Sequence, residues 1–139
     1  MKDVLEQYPI SEKCPEQAVS ASGKTINDLT LSEVLSGRID AEDIRISADV
    51  LQLQARIARA AGREGLARNL ERAAELVAVP QDIVLETYEM LRPGRLENPE
   101  PLRARAEMLR RDYGAHTIAA FIEEAVAVYQ SRKLFRRRY

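Results

Sequence analysis

Few side chains in this 139-residue chain can do chemistry: one cysteine, Cys14, one histidine, His116, and carboxylates mostly flanked by arginine. Cys14 and His116 stand far apart, and neither has a second Cys or His beside it. A zinc site takes about four such ligands, so this pair alone is short of them. Cys14 lies between Lys13 and Pro15. A nearby cation can lower a thiol pKa, but a structural thiol is the plainer reading. His116 falls near the start of the last expected helix, where capping or surface polarity explains it better than catalysis. Glu71 and Glu75 are spaced i, i+4. An acid–base carboxylate pair needs one carboxyl raised by burial, and Arg68 and Arg72 would lower it instead. Glu71 with Arg68, and Arg72 with Glu75, read as i, i+3 ion pairs worth roughly a few tenths of a kcal/mol. No catalytic, cofactor-binding or metal-ligating residue is therefore expected in this chain.

Binding chemistry is equally sparse. "AGREG", residues 61–65, echoes a glycine-rich phosphate turn but lacks a preceding strand. The tail "RKLFRRRY", residues 132–139, holds five basic residues in eight, with Phe135 and Tyr139 among them. Such a run can grip nucleic acid. It can equally be a helix end that complements the helix dipole, or a solvated tail. The whole chain has net charge −1, so it exerts no bulk pull on nucleic acid. The charge is unevenly spread, however. Residues 1–49 hold five Lys/Arg against ten Asp/Glu, net −5, and residues 50–139 hold sixteen against twelve, net +4. That asymmetry suits a chain lying against another surface, and it also suits an ordinary soluble protein.

The elements that carry these residues read as helical. Leu, Ala, Glu and Arg dominate and Trp is absent, a balance that favours helices. The length suits one domain, able to bury about 68% of its unfolded surface. Residues 1–29 hold Pro9, Pro15, Gly23 and scattered Ser, with apolar residues too sparse for a stripe. They are expected to form an irregular extended arm that cannot bury itself. "TLSEVLSG", residues 30–37, reads as a short helix with a capping box, Thr30 with Glu33. "RIDAEDIRIS" places Ile39, Ile44 and Ile46 among acids and reads as a connector. Ser47 is the next N-cap, with Asp49 in the first turn. Val50, Leu53, Ile57, Ala60 and Ala61 follow at helical spacing. Gly62 and Gly65 bend or break that helix. The stripe resumes with Leu66, Leu70, Ala73 and Val77 and is interrupted by Pro80, which fits the first turn of the next helix. That helix carries Ile83, Val84, Thr87, Tyr88 and Leu91, up to Pro93-Gly94. A further helix presents Leu102, Ala106, Leu109 and Tyr113. After Gly114 the last presents Ile118, Ile122, Ala125, Val126 and Tyr129, with Phe121, Val128 and Phe135 on a neighbouring face. An apolar arc this wide hints at two buried sides, one in the chain's own core and one against a partner. The expectation is an all-α, multihelical single domain over residues 1–139: arm 1–29, helical body 30–139. No run of 18 apolar residues spans a membrane. "MKDVLEQYPI" has no apolar h-region. A lone cysteine with no export signal suits a reducing cytoplasm.

Residues 43–93, "DIRISADVLQLQARIARAAGREGLARNLERAAELVAVPQDIVLETYEMLRP", closely resemble the small (gamma) subunit of adenosylcobalamin-dependent diol and glycerol dehydratases. Tyr8-Pro9, "KCPE" at 13–16, "TINDLTLSEVLSG" at 25–37 and "AAFIEEAVAVYQSRK" at 119–133 match in the same order. The resemblance thus covers nearly the whole chain, and "RISADVLQLQA" and "NLERAAELVAVPQD" are specific to the family. It implies a complex of large, medium and small subunits, two copies of each. The large subunit is a barrel holding substrate and a metal ion, and adenosylcobalamin is bound between the large and medium subunits, not by this chain. It implies a helical small subunit with an irregular arm, wrapped on the outside of the large one and supplying no catalytic residue. The enzyme is a carbon–oxygen lyase, a hydro-lyase that converts 1,2-diols such as propane-1,2-diol and glycerol to aldehydes by a radical route. The expected setting is the cytoplasm, with a bacterial microcompartment as a further location. Some members carry a long Ala/Pro-rich leader before Tyr8-Pro9, and its lack here argues against leader-driven association with such a compartment. Gly94 stands where relatives commonly have an aromatic, so one packing contact is expected to be missing. "KCPE" and "LSG" lean toward glycerol-type members, although substrate choice belongs to the large subunit. Nothing in the resemblance carries over to "LFRRRY".

On this reading the Glu/Arg pairs of residues 67–84 are surface or interface ion pairs on a scaffold helix. The expected partner contacts are Tyr8 and Pro9 on the arm, and Tyr88, Arg92 and Arg95, because Tyr and Arg are favoured anchors of buried contacts. Two other readings stay open at this point. One is a free-standing helical binding or regulatory module using the basic tail. The other is an independent enzyme using Cys14 or His116.

Overall fold

Ser47 marks the first long helix, because its hydroxyl accepts a hydrogen bond from the Val50 amide and satisfies a donor the helix leaves free. In the computed structural model, which describes residues 3–136, the helices are α1 Ile10–Lys13, α2 Leu31–Leu35, α3 Ala48–Ala60, α4 Glu64–Leu76, α5 Gln81–Met90, α6 Glu100–Tyr113 and α7 His116–Ser131. Among the described residues there is no strand beyond an isolated bridge between Val19 and Thr25. The fold is all-α. The chain divides into two units, Met1–Val77 and Ala78–Tyr139.

In the first unit, residues 3–29 take short turns rather than one extended run. Val4–Gln7, Pro15–Gln17 and Ile26–Asp28 are single 3₁₀ turns, and the Tyr8–Pro9 peptide is cis. Thr25 and Asp28 form a reciprocal cap, with both the amide and the hydroxyl of Thr25 donating to the Asp28 carboxylate. At α2 only half of the expected box forms. Thr30 accepts from the Glu33 amide, but the Glu33 carboxylate turns to the guanidinium of Arg38. A charged donor outcompetes a backbone amide for that carboxylate.

The α3–α4 hairpin dominates this unit, and the 3₁₀ turn at Val4–Gln7 also packs on α3. Gly62, with φ +75°, makes the turn, a backbone conformation that strains residues with a Cβ. Gly65 is absorbed into the first turn of α4. The buried residues differ from the expected stripes. On α3 they are Leu51, Leu53, Ala55, Ile57 and Ala58, while Ala60 and Ala61 are exposed. On α4 they are Ala67 and Ala74, while Leu66 and Val77 are exposed. Alanines at the seam let two helices approach closely, so on α4 Ala67 and Ala74 go inside while Leu66 is left exposed.

In the second unit α5 begins one residue later than expected, with Pro80 as its cap. The Asn98 side chain accepts from the Glu100 amide at 3.1 Å and opens α6. Gly114, at φ +62°, turns the chain into α7. The α6–α7 hairpin buries Leu102, Ala106, Leu109, Ile118, Ala119, Ile122 and Val126, close to the stripes expected on both helices. Phe121 and Val128, on the second apolar face of α7, remain partly exposed.

Candidate partner-binding surfaces

The residues first considered for chemistry are spread apart and engaged structurally. Cys14 is buried, and its thiol donates to the Gln7 carbonyl at 3.5 Å. His116 is the first, exposed residue of α7 and not its cap, which is Ala115. Glu71 pairs across the hairpin with Arg59 at 2.7 Å rather than with Arg68 as expected, and Arg68 pairs with Glu64. Arg59 also reaches Glu64, at 3.0 Å, so one guanidinium spans two carboxylates. The hydrogen bond from Arg59 holds the Glu71 carboxyl below its ordinary range, and that of Glu64 likewise. This disfavours proton storage and favours a fixed anion. Arg72 donates to the Asn69 side chain. Among the described residues no three His, Cys, Asp or Glu side chains group as a metal site.

What the first unit does present is an apolar groove of about 760 Å³. It forms because the turn at Val4–Gln7 and the following Tyr8, Pro9 and Ile10 lie over α3 and α4 without closing on them. The far wall is Ile57, Ala58, Leu66 and Leu70. Tyr8, expected at an interface, lines this groove and is 69% exposed. A second depression of about 290 Å³ shares Ala18, Ile26, Val50 and Gln54 with it and extends to Leu29, Ile44 and Ile46.

That second depression is anchored by Asp43, a carboxylate the sequence reading passed over as one acid of a connector. Asp43 is buried and accepts from Lys24 Nζ at 2.7 Å, from the hydroxyls of Ser20 and Ser22, and from the Asp40 amide at 3.1 Å. The Lys24 ammonium, then Ser22, then the Asp40 amide hold its carboxyl far below the usual carboxylate range. Its side-chain partners lie 19 to 23 residues away, so no local pattern announces it.

In the second unit two of the three expected contacts, Arg92 and Arg95, share one partner. Tyr88 on α5 is 68% exposed. Its neighbour Glu89 accepts from Arg92 at 3.1 Å and from Arg95 at 2.8 Å. One carboxylate therefore holds both arginines. Two residues not expected as contacts from the sequence hold α5 in place. Arg105 on α6 donates to the Ile83 carbonyl and to Thr87 Oγ1, both at 3.0 Å, and pairs with Glu86, which ties α6 to α5. Tyr129 on α7 donates to the Leu91 carbonyl and fixes the end of α5. Gly94 is buried at φ +83°, a left-handed conformation in which an aromatic would be strained.

In the tail, Phe135 packs edge-on against Tyr129, with ring centroids 6.0 Å apart, so its ring is engaged within the unit. Arg132, Lys133 and Arg136 are exposed. Arg137, Arg138 and Tyr139 lie outside the described residues. No helix among the described residues is long and apolar enough to cross a membrane.

Residues 4–136 match the family model described as the dehydratase small subunit. The chain is 50% identical over 129 residues to the propanediol dehydratase small subunit of Citrobacter freundii, an alignment covering 93% of this chain and 74% of that one. Its identity to the propanediol dehydratase small subunit of Salmonella typhimurium is 48% over the same span, with the same coverage. With a family match over residues 4–136 and identity of about one half to two such subunits, the chain belongs to the dehydratase small-subunit family.

Proposed function

We propose that this chain is the non-catalytic structural small subunit of an adenosylcobalamin-dependent hydro-lyase that converts propane-1,2-diol to an aldehyde. The observation that carries the reading is identity of about one half, over nearly the whole chain, with two propanediol dehydratase small subunits. Glycerol is kept as a second substrate of the same enzyme class. Residues 1–139 act as one small-subunit domain, a reading supported by a family match that runs without a break across the boundary between the two units.

The donor set of this chain does not suit adenosylcobalamin. Its one imidazole is exposed at a helix start, its one thiol is buried, and its larger groove is walled mainly by aliphatic side chains. The resemblance to adenosylcobalamin-dependent dehydratases assigns the cofactor to the large and medium subunits, where it would supply the radical when bound. The contribution of this chain is to hold neighbouring elements in place. The assembly has two copies of each of the three subunits and works in the cytoplasm, within or outside a microcompartment. Tyr8, Pro9, Tyr88, Arg92 and Arg95 are proposed as its contacts.

Co-expression with the large and medium subunits tests this. The expected result is a stoichiometric complex that forms aldehyde from propane-1,2-diol with adenosylcobalamin and loses activity or integrity when this chain is omitted. A chain that purifies alone and leaves the activity of the other two unchanged would overturn the reading.

A further inference from the structure

The exposed isoleucines of the first unit are held outward. Ile44 and Ile46 are 69% and 67% exposed, in a connector whose backbone is pinned by the buried Asp43 through Lys24, Ser20, Ser22 and the Asp40 amide. A loop tied at a buried carboxylate cannot roll these side chains into the core at little cost. Ile39, at the other end of the same connector, is already buried. The isoleucines border the smaller depression, which joins the larger groove through Ala18, Ile26, Val50 and Gln54. The result is one continuous apolar track ending at Tyr8 and Pro9. A preformed, rigid apolar surface loses little entropy when a partner covers it.

The charge around this track indicates what covers it. Residues 1–49 carry net −5. Glu6, Asp28 and Asp49, which neighbour residues lining the track in the chain, are exposed. Of the three cations in the lining, Lys24 and Arg45 are already paired with Asp43 and Glu42, and Arg63 lies exposed in the wall of the larger groove. An apolar track with an acidic border is complementary to a segment that is apolar on one side and basic at its edges.

We propose that this track is a docking site for such a basic amphipathic segment from another subunit of the dehydratase, with Ile44 and Ile46 as its central contacts. The inference rests on the reading of the chain as a dehydratase subunit and specifies the face it uses. The test is the affinity of purified full-length chain for the immobilised large–medium subunit complex. Ile44→Glu/Ile46→Glu is compared with Val77→Glu, an exposed apolar residue that does not line the track. Helical content is followed by circular dichroism. The double variant is expected to bind about tenfold or more weakly with unchanged helicity, and Val77→Glu to bind like the parent. Raising salt from about 0.05 to about 0.5 M is expected to weaken parent binding, through screening of the basic edge. If the double variant binds like the parent, the docking site is wrong while the subunit reading stands. Salt-independent binding overturns the basic character of the partner. If the parent itself binds neither subunit, the subunit reading fails and takes the docking site with it. If the parent sediments as a dimer that the double variant splits, the face serves a second copy of this chain instead.

Discussion

The two helical hairpins differ in the size of the side chains they hide completely. The α6–α7 hairpin hides large side chains: Leu102, Leu109 and Ile122 are each 1% exposed or less. In the α3–α4 hairpin the residues with no exposure at all are alanines, Ala55 and Ala67; Leu51, Leu53 and Ile57 are buried but not fully, while Leu66 and the nearby Ile26, Ile44 and Ile46 stay outside. A seam of alanines brings helix backbones close but removes little apolar area from water, whereas each fully buried Leu or Ile contributes about 1.5–3 kcal/mol. One hairpin therefore carries its stability within itself. The other also leaves an apolar surface open, the face proposed above as a docking site. Both hairpins bury alanines, and what separates them is the size of the side chains they hide completely.

The sharpest way to break the comparison is Leu109→Ala. It removes methyl groups from the best-filled part of the second unit and should destabilise the chain by about 2–5 kcal/mol, read from denaturant unfolding. A loss below about 1 kcal/mol would mean that the α6–α7 core collapses around the gap and is not the rigid half described here.

Next is Asp43→Asn, which probes what holds the open surface of the first unit in shape. The Lys24 ammonium and the Ser22 hydroxyl depress the Asp43 pKa far below its ordinary 3.8. A depressed carboxylate stabilises the fold fully above its unfolded pKa, and that stabilisation is lost as pH falls through the folded one. The parent should therefore lose thermal stability as pH drops below about 4, where the unfolded chain begins to take up the proton. The amide that Asp43→Asn introduces cannot take up that proton, so the variant should start from a lower midpoint at neutral pH and fall less steeply below that point. Parallel curves for the two proteins would remove Asp43 from the account.

Smaller effects follow at the elements that join helices. Tyr129→Phe deletes the donor to the Leu91 carbonyl and should cost about 1 kcal/mol. Ser47→Ala deletes the α3 cap, also at about 1 kcal/mol. If the cap variant proved far more damaging than the tyrosine variant, the first unit would depend on α3 nucleation more than its packing suggests.

Much of this was legible in the sequence, for identifiable reasons. Caps and periodic stripes are local, so the start of α3 at Ser47 and the faces of α6 and α7 could be read directly. The family resemblance rested on contiguous stretches such as "NLERAAELVAVPQD". The remainder was non-local. Glu71 had two arginines within reach on its own helix but pairs with Arg59 across the turn. Asp43 draws its hydroxyl and ammonium partners from residues 20–24. Arg105 looks like one more surface arginine until α5 is laid beside α6. On α4, hydrophobicity ranks Leu66 above Ala67, while close helix approach reverses the order. Pairings that depend on which helix meets which carry no signature in spacing along one helix.

The smallest predicted effect is the most discriminating for the contrast between the hairpins. Ile46→Ala removes as many apolar atoms as many damaging core changes, yet the side chain is 67% exposed. In the free chain its unfolding free energy should change by no more than about 0.5 kcal/mol, the range for surface sites away from special features. Leu109→Ala and Ile46→Ala both truncate a large aliphatic residue to alanine, so the difference between them isolates burial from chemistry. If Ile46→Ala costs several times more than expected in the free chain, Ile46 is packed in solution and the first unit closes on itself. If the free chain is indifferent, whatever the substitution costs in the assembled dehydratase is the contribution of the partner.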